Sequence, residues 1–339
     1  MILLCTFDVS PRKFKMPIIP VFNILTQLEF EHKALQVFKF QYEHLAIYKT
    51  YCDFLKVNPH KVLKISDIPF LPITFFKQQP ILANNCVAEK IFTSSGTTSN
   101  TTSKHYVADL KLYKTSFTTA FKQQYGPIED YTILALLPSY LESGGSSLVY
   151  MVDTLIAMSK QPKSGFYLDN LDALASTIKA LELQNKKTLL LGVSYALLDL
   201  IEAHTFKLKR TIIMETGGMK GRRKELIKEG LHEKLSKGFG VKTIHSEYGM
   251  TELLSQAYSK GNGIFKCPPW MRVGTRDTQD PLAWVRGKTG GINVIDLANQ
   301  YTCSFIATQD LGKVHEDGSF EILGRFDTSD IRGCNLMID

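Results

Sequence analysis

From residue 131 to residue 248 the chain alternates short apolar runs with longer amphipathic ones, and no other feature limits its fold so tightly. Residues 131–137, 188–193, 211–215 and 241–245 read as strands, the first of them buried. Between them, 146–159, 171–183, 195–203 and 222–235 carry helical patterns. Parallel strands need long crossovers, usually helices, so this alternation predicts a mainly parallel sheet covered by helices. Ligands in such sheets bind beyond the carboxyl ends of the strands. Thr216-Gly217-Gly218 and the segment 246–252 fall at such ends.

The flanks read differently. Residues 25–55 show one long amphipathic helix, with Leu28, Leu35, Phe38, Tyr42, Leu45 and Tyr48 at helical spacing. Prolines at 59, 69, 72 and 80 then mark an extended, turning connection. A further helix is predicted over 106–124, with Leu110, Tyr113, Phe117 and Phe121 on one face. Past residue 260, glycines punctuate short strands such as 292–297 and 320–323, and Asp317-Gly318 is a hairpin signal. The expected division is a helical segment over 1–67, an α/β core over 68–260 and a β-rich subdomain over 261–339.

Composition excludes more than it identifies. A chain of 339 residues, 44% hydrophobic and 22% charged, is long enough to bury a core without disulfide staples. Its six cysteines form no C-x-x-C pair, which argues against a zinc cage and for free thiols in a reducing cytoplasm. The net charge of +7 suits anionic ligands, and solvated lysines explain it equally. No basic tract interleaved with aromatics points to nucleic acid. No apolar run reaches the ~18 residues of a membrane span; 188–201 comes closest and is interrupted by Gly192, Ser194 and Asp199.

Four motifs carry chemistry. Thr93-Ser94-Ser95-Gly96-Thr97-Thr98-Ser99 is a hydroxyl-rich loop around one glycine, ahead of a helical pattern. Backbone amides and hydroxyls in such a loop can converge on phosphate oxygens. It is not a Walker A loop, because no Lys follows Gly96; a solvated linker is the competing reading. Tyr248-Gly249-Met250-Thr251-Glu252 offers a flat aromatic and a hard oxygen ligand, or else a plain helix start. Thr308-Gln309-Asp310-Leu311-Gly312 and Gly324-Arg325-Phe326-Asp327 add a carboxylate and a guanidinium, each also explicable as turn chemistry.

In this order and spacing the four motifs resemble those of the adenylate-forming enzymes, which include acyl-CoA synthetases and luciferase-like proteins. Ile68-Pro69-Phe70-Leu71-Pro72 with Phe76-Lys77, and Arg332-Gly333-Cys334-Asn335, resemble the acyl-protein synthetase (LuxE-type) branch. The resemblance runs from about residue 68 to the end. It implies the large domain of that α/β fold, with the small C-terminal lid domain absent. It also implies ATP and Mg2+ as cofactors and a fatty or other hydrophobic acid as substrate. The acyl-adenylate formed would pass to a thiol, with an acyl-protein reductase or acyl carrier as partner.

By the same resemblance, residues 93–98 hold phosphate, with Lys104 assisting. Family members place a Gly and then a Pro-Lys pair after this loop; here Ser99 replaces the Gly and four residues intervene before Lys104. Tyr248 lies against adenine, Thr251 contacts phosphate, Glu252 holds the metal, Asp310 takes the ribose, and Arg325 approaches ribose or phosphates. Gly217 and Gly218 permit close backbone approach to the adenine or the acyl group. Tyr140, Gly144-Gly145 and residues 193–195 are candidates to line an acyl tunnel, against core as the default. Cys334 is the acyl-accepting thiol, with Arg332 lowering its pKa and Gly333 giving freedom to swing; an inert cysteine beside Leu336-Met337-Ile338 is the alternative. A second enzyme class stays open: Gly192-Val193-Ser194-Tyr195-Ala196 imitates a nucleophile elbow, with His245 as a partner. A non-catalytic nucleotide or acyl binder is a third reading.

Overall fold

The computed structural model describes residues 18–94, 102–138, 145–217 and 226–325. One sheet of 13 strands organises them. Helices α1 (Gln27–His44) and α2 (Ala46–Phe54) precede it. Thr26 and Glu29 form a capping box at the start of α1, satisfying amides that the first turn leaves open. The single helix expected over 25–55 is therefore two. Leu45 between them is extended (φ −112°, ψ 94°) and packs into the core. Leu45 continues the apolar stripe, and no Gly or Pro marks the break, so periodicity alone runs straight through it. Of the expected stripe only Leu28 points outward, at 76% exposed; Phe38, Leu45 and Tyr48 are buried and Leu35 and Tyr42 pack against the core, joined by Phe30, Ala34 and Val37. Buried Gln41 ties α1 to the far end of the chain, donating to the carbonyls of Asn299 and Gln300 and accepting from the Ser304 amide.

Next come β1 (Leu71–Pro72), the short α3 (Phe75–Gln78), β2 (Lys90–Thr93), β3 (Lys104–Val107) and α4 (Leu110–Tyr125). The helix expected from 106 starts later, because 104–107 pairs with β2 as an antiparallel hairpin. Asp109 caps α4 by accepting from the Lys111 amide at 2.8 Å.

The α/β part follows the predicted alternation. It comprises β4 (Thr132–Leu136), α5 (Ser147–Ser159), β5 (Gly165–Phe166), α6 (Leu171–Leu183) and β6 (Thr188–Val193). Then come α7 (Ser194–Ala203), β7 (Thr211–Thr216), α8 (Lys228–Phe239) and β8 (His245–Tyr248). In space the strands run β5-β4-β6-β7-β8, all parallel. Every residue of β4 and β6 is buried, as parallel strands covered on both faces must be. Two elements sit later than predicted. Helix α8 starts at Lys228 rather than 222 and ends at Gly240, whose φ of +68° only glycine adopts freely. Strand β8 starts at His245 rather than 241, since Lys242 and Thr243 are exposed and pairing with β7 begins at His245.

After β8 the sheet turns antiparallel. It continues through β9 (Ala257–Ser259), β10 (Phe265–Lys266), β11 (Met271–Arg276), β12 (Trp284–Val285), β13 (Gly290–Asp296), β14 (Phe305–Val314) and β15 (Phe320–Arg325). Their order from β8 outward is β9-β10-β15-β14-β13-β11-β12. Asp317-Gly318 does turn the β14–β15 hairpin, with Gly318 at φ +80°. Strand β1 adds to β14 in parallel. The strands on either side of residue 260 thus share one continuous sheet. Among the described residues, no helix is long and apolar enough to cross a membrane, and Cys52, Cys86, Cys267 and Cys303 are free thiols.

Candidate functional site

A cleft of about 420 Å³ opens at the carboxyl ends of β4, β7 and β8. Its floor is where the sheet changes from parallel to antiparallel, between β8 and β9. Thr216 and Gly217 enter it from the end of β7, and Gly249, Met250 and Thr251 from the loop after β8. On the opposite side stand Thr93, Ser94 and the first turn of α5. Ser146 caps α5 by accepting from the Val149 amide at 3.3 Å. The other first-turn amides have no partner within the helix, and the helix dipole favours negative charge beside them.

The β2–β3 hairpin reaches this cleft by close packing. The Thr93 amide donates to the Gly145 carbonyl at 2.7 Å. A Cβ on Gly145 would lie 2.5 Å from Thr93 Oγ1, so any larger residue would make the Thr93 side chain turn or the segments part. Ser94 and Ser103 then close the hairpin neck. The Ser94 amide donates to the Ser103 carbonyl at 3.1 Å, and the Ser103 amide donates to Ser94 Oγ at 2.9 Å.

A second set of bonds sews this neck to the loop after β8. Ser103 sits beside the Glu252 carboxyl and favours its charged form. His105 Nδ1 donates to the Thr251 carbonyl at 2.7 Å, and its Nε2 lies 3.0 Å from Thr302 Oγ1. Burial holds His105 neutral, with its pKa lowered to about 4. The Asn299 side-chain amide donates to the Glu252 carbonyl at 2.8 Å. Asp296 accepts from the amides of Leu254 and Ser255 at 2.7 and 2.9 Å. Ser103, His105, Asp296 and Asn299 thus fix Thr251 and Glu252 without lining the cleft. The sequence reading missed all four, because each acts on this loop through contacts about forty residues or more away.

Glu252 is buried. Burial pushes its carboxyl pKa up, opposed by the Ser103 hydrogen bond and by the charges of Arg325 and Lys77. Among the described residues no three His, Cys, Asp or Glu side chains gather to form a metal cage. Glu252 alone, one residue beyond the cleft wall, is a donor set that suits a magnesium ion completed by phosphate oxygens and water.

Beside the cleft, Tyr248, Asp310 and Arg325 make a closed cluster. The Tyr248 hydroxyl donates to Asp310 Oδ2 at 2.8 Å, and Arg325 Nε donates to Oδ1 at 3.2 Å. Asp310 and Arg325 face each other across β14 and β15. The Tyr248 ring packs between Phe265 and Phe320, at 5.8 and 5.4 Å between centroids.

Thr93, Ser94, Gly217 and Thr251 therefore share one cleft, Glu252 lies next to it, and Tyr248, Asp310 and Arg325 adjoin. Lys104 stands opposite Thr93 across the hairpin and is exposed. Ser95, Gly96, Thr97, Thr98, Gly218 and Cys334 lie outside the described residues, as do Tyr140 and Gly144. Of the other tunnel candidates, Gly145 lines the cleft, while Val193, Ser194 and Tyr195 are buried elsewhere. The Ser194 hydroxyl donates to the Gly217 carbonyl at 2.9 Å. Residue 193 is in register with Thr216 and that with Glu247, so His245 sits two strands away, roughly 10 Å in the sheet plane. His245 instead meets the Tyr125 hydroxyl at 3.2 Å. No Ser–His pair forms between them.

No protein-family model and no curated protein sequence matches the chain. Its fold does match solved structures. The ATP-bound MatB of Rhodopseudomonas palustris aligns at a TM-score of 0.52 and 20% identity, covering 69% of this chain and 47% of MatB. The chain thus spans about half the length of that enzyme. A 2-hydroxyisobutyryl-CoA ligase, in an open conformation with its acyl-AMP and CoA, aligns at 0.66 and 13% identity, covering 93% of this chain and 77% of the ligase. The same ligase in its postadenylation state aligns at 0.65 and 12% identity. The chain has the fold of these ligases, as its motifs led us to expect.

Proposed function

We propose that the chain activates a carboxylic acid with ATP, forming an acyl-adenylate and pyrophosphate. One observation carries this reading: residues 93–94, 216–217, 247 and 249–251, far apart in sequence, line a single cleft where strand ends, a helix N-terminus and a hairpin neck converge. The fold shared with ligases bound to ATP and to acyl-AMP supports it.

Two anions have to meet in this reaction. A carboxylate oxygen attacks the α-phosphorus, the bond to the β-phosphate breaks, and pyrophosphate leaves. The α5 amides and the hairpin neck face the phosphates and spread their charge. Thr251 is held by His105 so that its hydroxyl meets a phosphate oxygen. Glu252, with Ser103 beside it, would hold magnesium through its carboxylate. Bound there, the ion would neutralise charge between the phosphates. Asp310 accepts from the ribose hydroxyls once its internal partners give way, and Arg325 stays beside it as counter-charge. Residues 95–98, Lys104 and Gly218 complete the nucleotide contacts in this proposal.

The second half-reaction transfers the acyl group to a thiol. The Cys334 thiolate attacks the acyl carbonyl, AMP leaves, and a thioester forms on the protein, for delivery to a reductase or carrier. The resemblance to acyl-protein synthetases supports this step. The test is incubation with labelled carboxylic acid, ATP and Mg2+, followed by denaturing separation. The expected result is AMP, pyrophosphate and hydroxylamine-labile label on the protein, with the label lost in Cys334→Ala. AMP formation with unlabelled wild-type protein would remove the thiol step and leave the adenylation intact.

A further inference from the structure

The phosphates of ATP carry several negative charges, and the cleft walls offer them no cation. Among the described residues that line the cleft there is no Lys, Arg or His. Of the cations nearby, Arg325 is committed to Asp310 at 3.2 Å and Lys228 to Glu215 at 2.9 Å. Lys104 stands exposed on the hairpin, opposite Thr93. Lys77 is the other, and the adenylation scheme above gives it no part.

Its position is fixed by its neighbours. The Tyr48 hydroxyl donates to the Pro69 carbonyl at 2.7 Å and the Tyr51 hydroxyl to the Phe70 carbonyl at 3.1 Å. Strand β1 then runs parallel to β14, with Leu71 beside Ile306 and Pro72 beside Ala307. Both strands therefore head toward Asp310. The Ile73 amide donates to the Ala307 carbonyl at 3.0 Å, and α3 starts two residues later. Within α3 the buried Phe76 ring packs edge-on against His105, 5.9 Å between centroids. His105 is the ring that holds the Thr251 carbonyl. Lys77 comes next and is exposed. Among the described residues its ammonium makes no hydrogen bond or ion pair, yet its charge reaches the buried Glu252 carboxyl and favours the ionised form. A lysine on an arbitrary stretch of surface would be a solvated charge and nothing more. This one is carried on an anchored corner, beside the carboxylate proposed for magnesium. Three donors on a flexible stem suit it to phosphate.

We infer that Lys77 contacts the β- and γ-phosphates of ATP beside Glu252 and steadies pyrophosphate as it leaves. The leaving step rests on the adenylation proposal and deepens it; the contact itself needs no acid. Lys77 does not line the cleft, so it meets the part of the nucleotide that extends past Glu252, the terminal phosphates. When the bond from the α-phosphorus to the bridging oxygen breaks, its electron pair goes to pyrophosphate. The ammonium offsets that charge and keeps its protons. AMP has no such phosphates and gains nothing from Lys77.

The test compares equilibrium binding of ATP and AMP, each with Mg2+, to wild type, Lys77→Met and Lys77→Arg. Acid-dependent exchange of labelled pyrophosphate into ATP is measured alongside. Lys77→Met should raise the Kd for ATP by about 10-fold, the scale of one hydrogen bond to a charged group, and the Kd for AMP by less than about 2-fold. Exchange should fall by roughly 10-fold with it. Lys77→Arg keeps the charge and should recover most of both. The side chain is exposed, so the fold should hold; Lys77→Gln, checked by circular dichroism, serves if the Met variant does not. An unchanged affinity for ATP, whatever the exchange rate, would overturn the inference. So would an equal loss for ATP and AMP, which would place the effect on the nucleoside or the fold. Wild-type protein that binds ATP but shows no acid-dependent exchange would sink the adenylation proposal, while the ATP-over-AMP comparison would still decide the Lys77 contact.

Discussion

The cleft at the parallel strand ends and the Tyr248–Asp310–Arg325 cluster lie side by side, yet they treat their polar groups in opposite ways. In the cluster both oxygens of Asp310 are already taken, by a hydroxyl and a guanidinium from the same chain. At the cleft wall, Gln256 Oε1 is buried with no partner among the described residues. A ligand entering the cleft gains bonds that nothing else makes. A ligand reaching Asp310 must exchange for bonds already present, so it gains only the difference. The antiparallel side is a frame at rest, and the parallel side is a site that binding completes.

The contrast ranks the expected effects. The largest belongs to Glu252→Gln, which should keep the fold but removes the charge proposed to hold magnesium. Acid-dependent pyrophosphate exchange should fall by about 10²–10³-fold in kcat, the scale for losing one preorganised electrostatic group. Gly145→Ala comes next. Its added methyl meets Thr93 Oγ1, so the Thr93 side chain or the hairpin neck has to shift and exchange should drop by roughly 10-fold. Asp310→Asn should act mainly on the KM for ATP, raising it by about 5–10-fold, because its loss is partly offset when Tyr248 and Arg325 are freed. An Asp310 effect larger than that of Glu252 would break the comparison.

Much of the fold was legible before any coordinates. The strand at 188–193 and the helix at 171–183 fall where periodicity put them, the first an apolar run and the second an amphipathic one, each bounded by turn residues. The break at Leu45 was not legible, since an apolar residue can leave a helix without a sequence mark when tertiary packing rewards it. The antiparallel continuation of the sheet was visible as glycine-rich texture but not as pairing, which depends on strands over fifty residues apart such as β10 and β15. Of the site, the motif residues could be read because their chemistry is local. His105, Asn299 and Asp296 could not, because a buried polar residue far along the chain looks like any other until its partner is known. Glu247 was hidden in plain view, beside a tyrosine that drew the attention.

The smallest expected effect is in stability. Burial raises the Glu247 pKa to about 7, with Glu215 adding repulsion. Between the ordinary carboxylate pKa and that value the folded state holds a proton that the unfolded chain has lost, so wild-type stability declines as pH rises through this window and levels off above it. Glu247→Gln lacks this slope. Its stability relative to wild type should grow from about pH 4.5 to 7 by at most ~3 kcal/mol, read by denaturant titration at several pH values. A pH-independent difference would mean that Glu247 is not held protonated by burial, and would weaken the contrast between cleft and cluster.

The central claim is that a carboxylate oxygen becomes bonded to the α-phosphorus of ATP in this cleft. Turnover of an 18O-carboxylate acid with ATP and Mg2+, followed by mass analysis of the nucleotide product, reports on that bond directly. The account predicts AMP carrying one 18O in its phosphate. Unlabelled AMP, or ADP in its place, would contradict it.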